Sequence, residues 1–142
     1  MFSQTSEYAL RVMVFLAGQS DQPSTTHQIA HATGVPEGYL AKVLQNLGHA
    51  GFVKSQRGLH GGFVLGQQPA NITVYDVIES VDSMPRVKSC PLGIKSHANH
   101  LCPLHRRLDH AMAAVEQAFR ESTIAELLVD PNGQRPLVET KR

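Results

Sequence analysis

The chain has two cysteines, Cys90 and Cys102, and each opens the tripeptide Cys-Pro-Leu. Four of its eight histidines lie in or just after the same segment, at His97, His100, His105 and His110. Thiolates and imidazoles are ligands that transition metals and iron–sulfur clusters prefer. No other stretch of the sequence concentrates reactive side chains in this way. The segment from Cys90 to His105 is therefore predicted to bind a metal or to sense redox state.

Composition is typical of one folded domain. The chain has 142 residues, of which 42% are hydrophobic and 18% are charged, which excludes disorder by composition. A net charge of +1 neither requires nor excludes a nucleic-acid partner. The sequence has no apolar run long enough to span a bilayer and no secretory signal, so we expect a cytoplasmic protein. In that compartment two cysteines are more often ligands or reactive thiols than a structural disulfide.

Caps and apolar spacing predict three helices in the first fifty residues. They run from Ser3 or Thr5 to Gly18, from Ser24 or Thr25 to Gly34, and from Pro36 to the break between Gly48 and Gly51. The second and third are short and are joined by a tight turn, which is the pattern of a helix-turn-helix. An ordinary helical hairpin would have the same pattern.

A glycine-rich hairpin follows the third helix. Two alternating segments, Phe52–Ser55 and Phe63–Leu65, flank a turn that carries Arg57, Gly61 and Gly62. We expect both glycines to adopt positive φ. A helix-turn-helix followed by such a hairpin predicts a winged helix in a mainly α fold. Its third helix would enter the major groove of DNA, and Arg57 would approach the minor groove or the backbone rather than remain a solvated turn residue.

The C-terminal half is predicted to be helical. A helix should follow Thr73, and Thr123 should cap a last short helix. Between them a long helix carries a narrow apolar seam of Leu104, Leu108, Ala111, Val115 and Phe119. That seam would pair with its copy in a dimer or pack on the first helix. We accordingly divide the chain into a DNA-binding domain (1–83), a sensor loop (84–103), a dimerisation segment (104–130) and a loose tail (131–142).

Several motifs carry a resemblance to a known family. They are Glu7-Tyr8-Ala9-Leu10-Arg11, Gly38-Tyr39-Leu40, Gly51-Phe52-Val53, Arg57-Gly58 and Gly61-Gly62-Phe63-Val64-Leu65-Gly66. With the cysteine loop before a long helix, the chain resembles the IscR/NsrR family of bacterial regulators from about residue 2 to residue 129. The resemblance implies a homodimeric winged-helix transcriptional regulator, more often a repressor than an activator. In many members an iron–sulfur cluster in the loop sets DNA affinity.

The resemblance also implies a ligand set. Cys90 and Cys102 match the first and third of three family cysteines, while Ser96 stands at the middle position. His105 matches a histidine ligand, and Glu7 matches an acidic ligand that reaches the site of the partner subunit. Cys90, Cys102, His105 and Glu7 are thus the predicted ligands, with His97 or His100 as substitutes. The predicted cofactor is a [2Fe–2S] cluster, because imidazole can replace thiolate on iron.

Other interpretations of the loop remain open. The same donors suit a structural zinc site, and two thiols can form a reversible disulfide without any metal. Cys102 precedes the long helix, a position that favours oxidation. The cysteines can also be ordinary packed residues. Some family members have no cluster and respond to small molecules or protein partners, so a cluster-free regulator that responds to a small effector or to structural zinc is one alternative. A winged-helix module that binds another protein or an effector is the rival function from a different class. The sequence shows no pairing of a nucleophile with a base, so we do not expect an enzyme.

Geometry and the resemblance together suggest which residues meet DNA. Threonines at the second helix's start suit phosphate, the leading turns of the third helix suit the major groove, and the wing suits the minor groove. The candidates are Thr25, Thr26, Glu37, Gly38, Tyr39, Lys42, Arg57 and His60. Glu37 is expected to accept a hydrogen bond from a cytosine amine, whereas Tyr39 and Lys42 are expected to contact phosphate.

Overall fold

The computed structural model describes residues 3–97, 99–130 and 132. Six α-helices and one hairpin follow one another along these residues. They are α1 (Gln4–Ala17), α2 (Thr26–Thr33), α3 (Glu37–His49), β1 (Val53–Gln56), β2 (Gly62–Leu65), α4 (Val74–Val81), α5 (Pro103–Arg120) and α6 (Ile124–Leu127). Short 3-10 turns occur at Pro69–Asn71 and Lys95–His97. The mainly α fold with a two-stranded wing is the one predicted.

Local capping determines where four of the helices begin. The hydroxyl oxygens of Ser3, Thr25, Thr73 and Thr123 each accept a hydrogen bond from the backbone N–H three residues further on. In α2, α4 and α6 the side chain of the third helical residue also accepts a hydrogen bond from the backbone N–H of the cap residue, which completes a capping box. The observed helix starts confirm the predicted ones. They could be predicted because a cap is a contact between residues only three positions apart.

The core is built around α1, which packs on α2, α3, α4, α6 and β2. Ala9, Val12 and Met13 are fully buried, as the dense apolar pattern of this helix requires. From α3, Leu40 and Leu47 enter the same core. The burial of one α3 face leaves the opposite face in solvent.

The hairpin is antiparallel, with Val53 opposite Leu65 and Gln56 opposite Gly62. The first strand lies one residue later than expected, and the second begins one residue earlier. Positive φ occurs at Gly58 (116°) and Gly62 (155°). The expectation of positive φ at Gly61 was therefore wrong. Glycine is needed there for a different reason, since a Cβ would overlap the carbonyl oxygen of Gln56.

The base of the hairpin is tied to the segment before α2. Ser24 N–H donates to the Phe63 carbonyl at 3.0 Å, and Phe63 N–H donates back to the Ser24 carbonyl at 2.8 Å. Gly62 borders this bridge, and a Cβ on it would lie 2.5 Å from the Ser24 carbonyl oxygen. The helix-turn-helix and the wing are thereby joined into one unit.

The two C-terminal helices pack on different parts of the core. α5 packs mainly on α4, whereas α6 packs on α1 and on the turn at Pro69–Asn71. α6 is held because Ile124 N–H donates to the Ile72 carbonyl at 2.8 Å. Apart from residue 132, the predicted tail from residue 131 lies outside the described residues. No helix in the described ranges is long and apolar enough to cross a membrane.

Candidate DNA-reading surface and sensor loop

The first turns of α3 form an exposed surface. Glu37, Gly38, Tyr39 and Lys42 are all solvent-exposed, whereas the next residue of the core stripe, Leu40, is fully buried. A Cβ on Gly38 would meet no atom within 4 Å. The N-terminal turns of α3 are therefore free to approach a partner.

Tyr39 is anchored to the first helix. Its ring meets the Tyr8 ring edge to face, with centroids 5.7 Å apart, yet 52% of the Tyr39 residue surface remains exposed. The contact fixes the ring without burying it. An exposed aromatic ring held in this way can present its hydroxyl to a phosphate.

The start of α2 lies beside this surface. The Thr25 hydroxyl oxygen accepts from Gln28 N–H at 3.1 Å, so its lone pair serves the helix while its proton stays available to donate. Thr26, the first helical residue, is partly exposed. Both threonines are thus placed where the unpaired amides of a helix N-terminus face outward.

A contact that the sequence did not predict connects α2 with α3. His27 Nδ1 lies 3.0 Å from Glu37 Oε1, and both side chains are largely exposed. Sequence analysis gave His27 no role. The two residues are ten apart, and no local pattern reports a contact between separate helices.

The wing completes the surface. Arg57 and His60 are exposed at its tip. Between α3 and the hairpin lies an open cleft of about 660 Å³, whose lining includes Gln45, His49 and Lys54. None of these three residues is among the DNA-binding candidates named from the sequence. Their polar and basic groups line the path between the recognition helix and the wing.

In the cysteine loop, two donors come together at the start of α5. Cys102 is the N-cap residue of this helix, and its Sγ lies 3.3 Å from His105 Nδ1. Both residues are partly buried. A thiol and an imidazole in contact bring together two donor types that transition metals bind, and the thiol is also a site for oxidation.

The other predicted ligands do not join this pair. Cys90 is a free, partly buried thiol, and His100 is exposed. His97 Nδ1 is buried and lacks a hydrogen-bond partner within the described residues. Across those residues no three Cys, His, Asp or Glu side chains are grouped closely enough to hold a metal ion. As they are arranged in the described part of one chain, these donors therefore do not form a site for a [2Fe–2S] cluster or a zinc ion, and Ser96 supplies no third thiolate.

Glu7 is engaged elsewhere. Its Oε1 lies 3.6 Å from Arg11 Nε, one helical turn further along α1. Arg11 Nη1 also donates to the Thr33 carbonyl at 3.4 Å, where α2 ends. The predicted acidic ligand is thus connected through one arginine to the helix-turn-helix.

An unpredicted ionic cluster holds the start of the loop against α5. Arg86 binds both carboxylate oxygens of Asp109, at 2.8 and 2.9 Å, and its third nitrogen lies 3.2 Å from Glu116. Val87 N–H donates to Asp109 at 2.9 Å. The hydrogen bonds from Arg86 and Val87 lower the pKa of Asp109 to about 2. Bonds from Arg120 and then Arg86 lower the pKa of Glu116, and the two carboxylates raise that of Arg86.

Comparison with known proteins agrees with this geometry. A family model described as Rrf2, iron-dependent transcriptional regulator, matches residues 2–130. The chain belongs to the Rrf2 family. Like the relatives to which it is similar, it is a transcriptional regulator.

One Rrf2-type relative is the HTH-type transcriptional regulator NsrR of Geobacillus kaustophilus, which is 30% identical over 96% of this chain and 95% of its own length. Among solved structures, IscR of T. potens superposes with a TM-score of 0.76 at 26% identity, over 90% of this chain and 85% of that one. CymR of B. subtilis, titled the global cysteine regulator, gives 0.73 at 29% identity, over 92% and 98%.

Proposed function

We propose that this Rrf2-family regulator is a homodimer that binds a near-palindromic operator in double-stranded DNA, most simply as a repressor, and that the loop from Cys90 to His105 controls its affinity. Residues 1–83 would read DNA, residues 84–103 would sense, and residues 104–130 would dimerise. No catalytic role is proposed, and the protein would act in the bacterial cytoplasm.

The observation that carries the DNA-binding proposal is the exposed start of α3 beside the wing. Its core face is buried, its leading turns are open, and the bridge at Ser24 fixes the wing relative to the two helices. A recognition helix and a wing held in one unit can contact the major groove and the adjacent minor groove together. The residues proposed to touch DNA remain those named from the sequence, with Lys54 and His49 added along the cleft.

The sensing proposal depends on the Cys102–His105 pair. The described residues of one chain do not gather a cluster site. The proposed sensor is therefore the thiol of Cys102 beside the imidazole of His105 at the N-terminus of α5. Oxidation of the Cys102 thiol by hydrogen peroxide, which gives a sulfenic acid and releases water, would remove the thiol from this contact and so alter the first turn of α5. Because α5 carries the exposed apolar face proposed for dimerisation, the change would reach the spacing of the two reading heads.

Operator binding tests the function. Duplexes selected from a randomised pool by the wild-type protein should share an inverted repeat, and Arg57→Ala should bind the selected duplex at least about tenfold more weakly. The matched control is Arg106→Ala, an exposed arginine on the side of α5 opposite Leu104 and Leu108, which should bind normally. A wild-type protein that enriches no sequence would refute the proposal and favour the protein-interaction function.

A further inference from the structure

The contact between His27 and Glu37 crosses the surface proposed to read DNA. His27 is the second residue of α2, and Glu37 is the first residue of α3. Their side chains are 84% and 58% exposed, so an ion pair there adds little to the stability of the fold. What the 3.0 Å contact does determine is where the carboxylate of Glu37 is held.

We propose that His27 is a positioning residue that sets the base preference of Glu37 in the major groove. The proposal rests on the proposed function, in which the first turn of α3 enters that groove. An ionised carboxylate only accepts hydrogen bonds, and the donors in the major groove are the amines of cytosine and adenine. With Oε1 engaged by His27, the second oxygen of Glu37 is the one presented to such an amine.

Nothing else on α3 competes for this role. Glu37 is the one acidic residue in the helix sequence. Gly38, next to it, has no side chain, and Tyr39 is held against Tyr8. Recognition of a base amine by a carboxylate on this helix therefore falls to Glu37 alone.

The His27 imidazole also reduces the electrostatic repulsion between the Glu37 carboxylate and the DNA phosphates. A glutamate near the phosphates is repelled by their charge. His27 offsets this when its Nδ1–H donates to Glu37, and in the doubly protonated ring Nε2–H is available to donate to a phosphate oxygen. One residue would thus contact the backbone and fix the base-reading group.

The test compares base preferences, not affinity alone. The full-length wild-type protein first selects its preferred duplex from a randomised pool. His27→Ala, His27→Gln and Glu37→Gln are then measured on that duplex, on every single-base substitution of it, and on an unrelated duplex. His110→Ala is the matched control, because His110 is an exposed histidine on α5 that lies off the apolar stripe of Leu104 and Leu108.

We expect His27→Ala and Glu37→Gln to lose about tenfold discrimination at the same base pair, with binding to the unrelated duplex changed less than twofold. His27→Gln should keep part of the preference because its amide can still donate. His27→Ala preferences that are unchanged, or that change at a different base pair from those of Glu37→Gln, would overturn the proposal. A merely structural role would weaken binding to all duplexes equally. A wild-type protein that selects no sequence would overturn the proposed function and this inference with it.

Discussion

At the scale of single residues, Cys102 is the residue best placed to act as a sensor. Its thiol contacts the His105 imidazole and stands at the beginning of α5, so a change at one sulfur atom is applied to the end of an eighteen-residue helix. Cys90 lies in the same loop, yet no contact of its thiol with this pair is seen in the described part of the chain. The two cysteines are therefore not equivalent.

That asymmetry gives the first prediction. Cys102→Ala should retain operator binding but lose its dependence on oxidant, which in the wild type should be between about fivefold and about a hundredfold. The measurement is operator affinity with and without peroxide, on protein purified without oxygen and assayed for iron and sulfide. An unchanged response would contradict the sensor role of Cys102.

The controls separate the possible sensing chemistries. Cys90→Ala should respond like the wild type if oxidation of Cys102 alone is sufficient, and it should lose the response if a disulfide between the two is required. Iron and sulfide in the purified protein would show that a cluster assembles, with donors that one chain does not bring together. Zinc alone would point to a structural site.

Gly62 carries a second prediction at this scale. Gly62→Ala should lower the free energy of unfolding by about 1–3 kcal/mol, because a Cβ would collide with the Ser24 carbonyl and the residue has positive φ. Gly38→Ala is the matched control. Gly38 has open space around it, so alanine in this helix should raise stability by up to about 1 kcal/mol. Urea unfolding followed by circular dichroism measures both; equal stability of the two variants would contradict the prediction.

At the scale of elements, the start of the cysteine loop is fixed to α5 by Arg86. Arg86 makes a forked contact with Asp109 and a further contact with Glu116, and Arg120 links Glu116 to α4 by lying 3.7 Å from the Tyr75 ring centre. A planar guanidinium suits two carboxylates at once. The loop that contains the cysteines thus begins at a defined place on the proposed dimerisation helix.

The contacts of Arg86 with Asp109 and Glu116 form a tether between the loop and α5, and loss of this tether should be detectable at a single backbone amide. Arg86→Ala should speed hydrogen exchange at Val87, whose N–H donates to the Asp109 carboxylate that Arg86 holds in place. Arg86→Lys should be intermediate, since lysine keeps the charge but not the fork. Lys88→Ala, an exposed change in the same loop, is the control. Unaltered exchange at Val87 in Arg86→Ala would refute the tether.

The tether should not respond to pH in the physiological range. The pKa of Asp109 is lowered to about 2, so its contribution to stability is complete above its ordinary value near 3.8 and is lost only as pH falls through about 2. Exchange at Val87, after correction for the intrinsic dependence on hydroxide, should therefore be constant between about pH 5 and 8. A change within that window would show that another group controls the loop.

How far the sequence predicts these elements depends on the distance over which each interaction acts. Caps at Ser3, Thr25 and Thr123 bind N–H groups three residues away, so composition and spacing suffice to find the helices. The Arg86–Asp109 fork joins residues 23 apart, and no periodicity predicts it. Of the four predicted ligands, Cys102 and His105 are in contact because they are one helical turn apart. Cys90 and Glu7 belong to separate elements, and no local pattern reports whether such residues meet.

At the scale of the whole molecule, one surface stands out. α5 is long, yet none of its residues is fully buried, and Leu104 and Leu108 are 70% and 45% exposed. They are four residues apart and so lie on one face of the helix. An apolar stripe of this kind is typical of a helix that pairs with a copy of itself.

The corresponding prediction concerns oligomeric state. Leu108→Glu should weaken the proposed dimer at least about tenfold, since it places a charge within the apolar stripe. Operator binding should weaken as well, because each monomer presents only one reading head. Leu59→Glu is the matched control: this wing leucine is 95% exposed and lies outside the stripe, so the variant should remain a dimer. Sedimentation equilibrium measures both, and a dimeric Leu108→Glu would contradict the assignment of the interface.

The bridge between Ser24 and Phe63 has a consequence for how such a protein can diversify. Because the hairpin is joined at its base to the segment before α2, the wing tip from Arg57 to His60 can change in length or sequence without shifting α3. Leu59 in that tip is 95% exposed, so a change of its side chain displaces no packed neighbour. Related regulators can thus acquire new minor-groove contacts by altering the tip alone, while the geometry of major-groove reading is inherited unchanged.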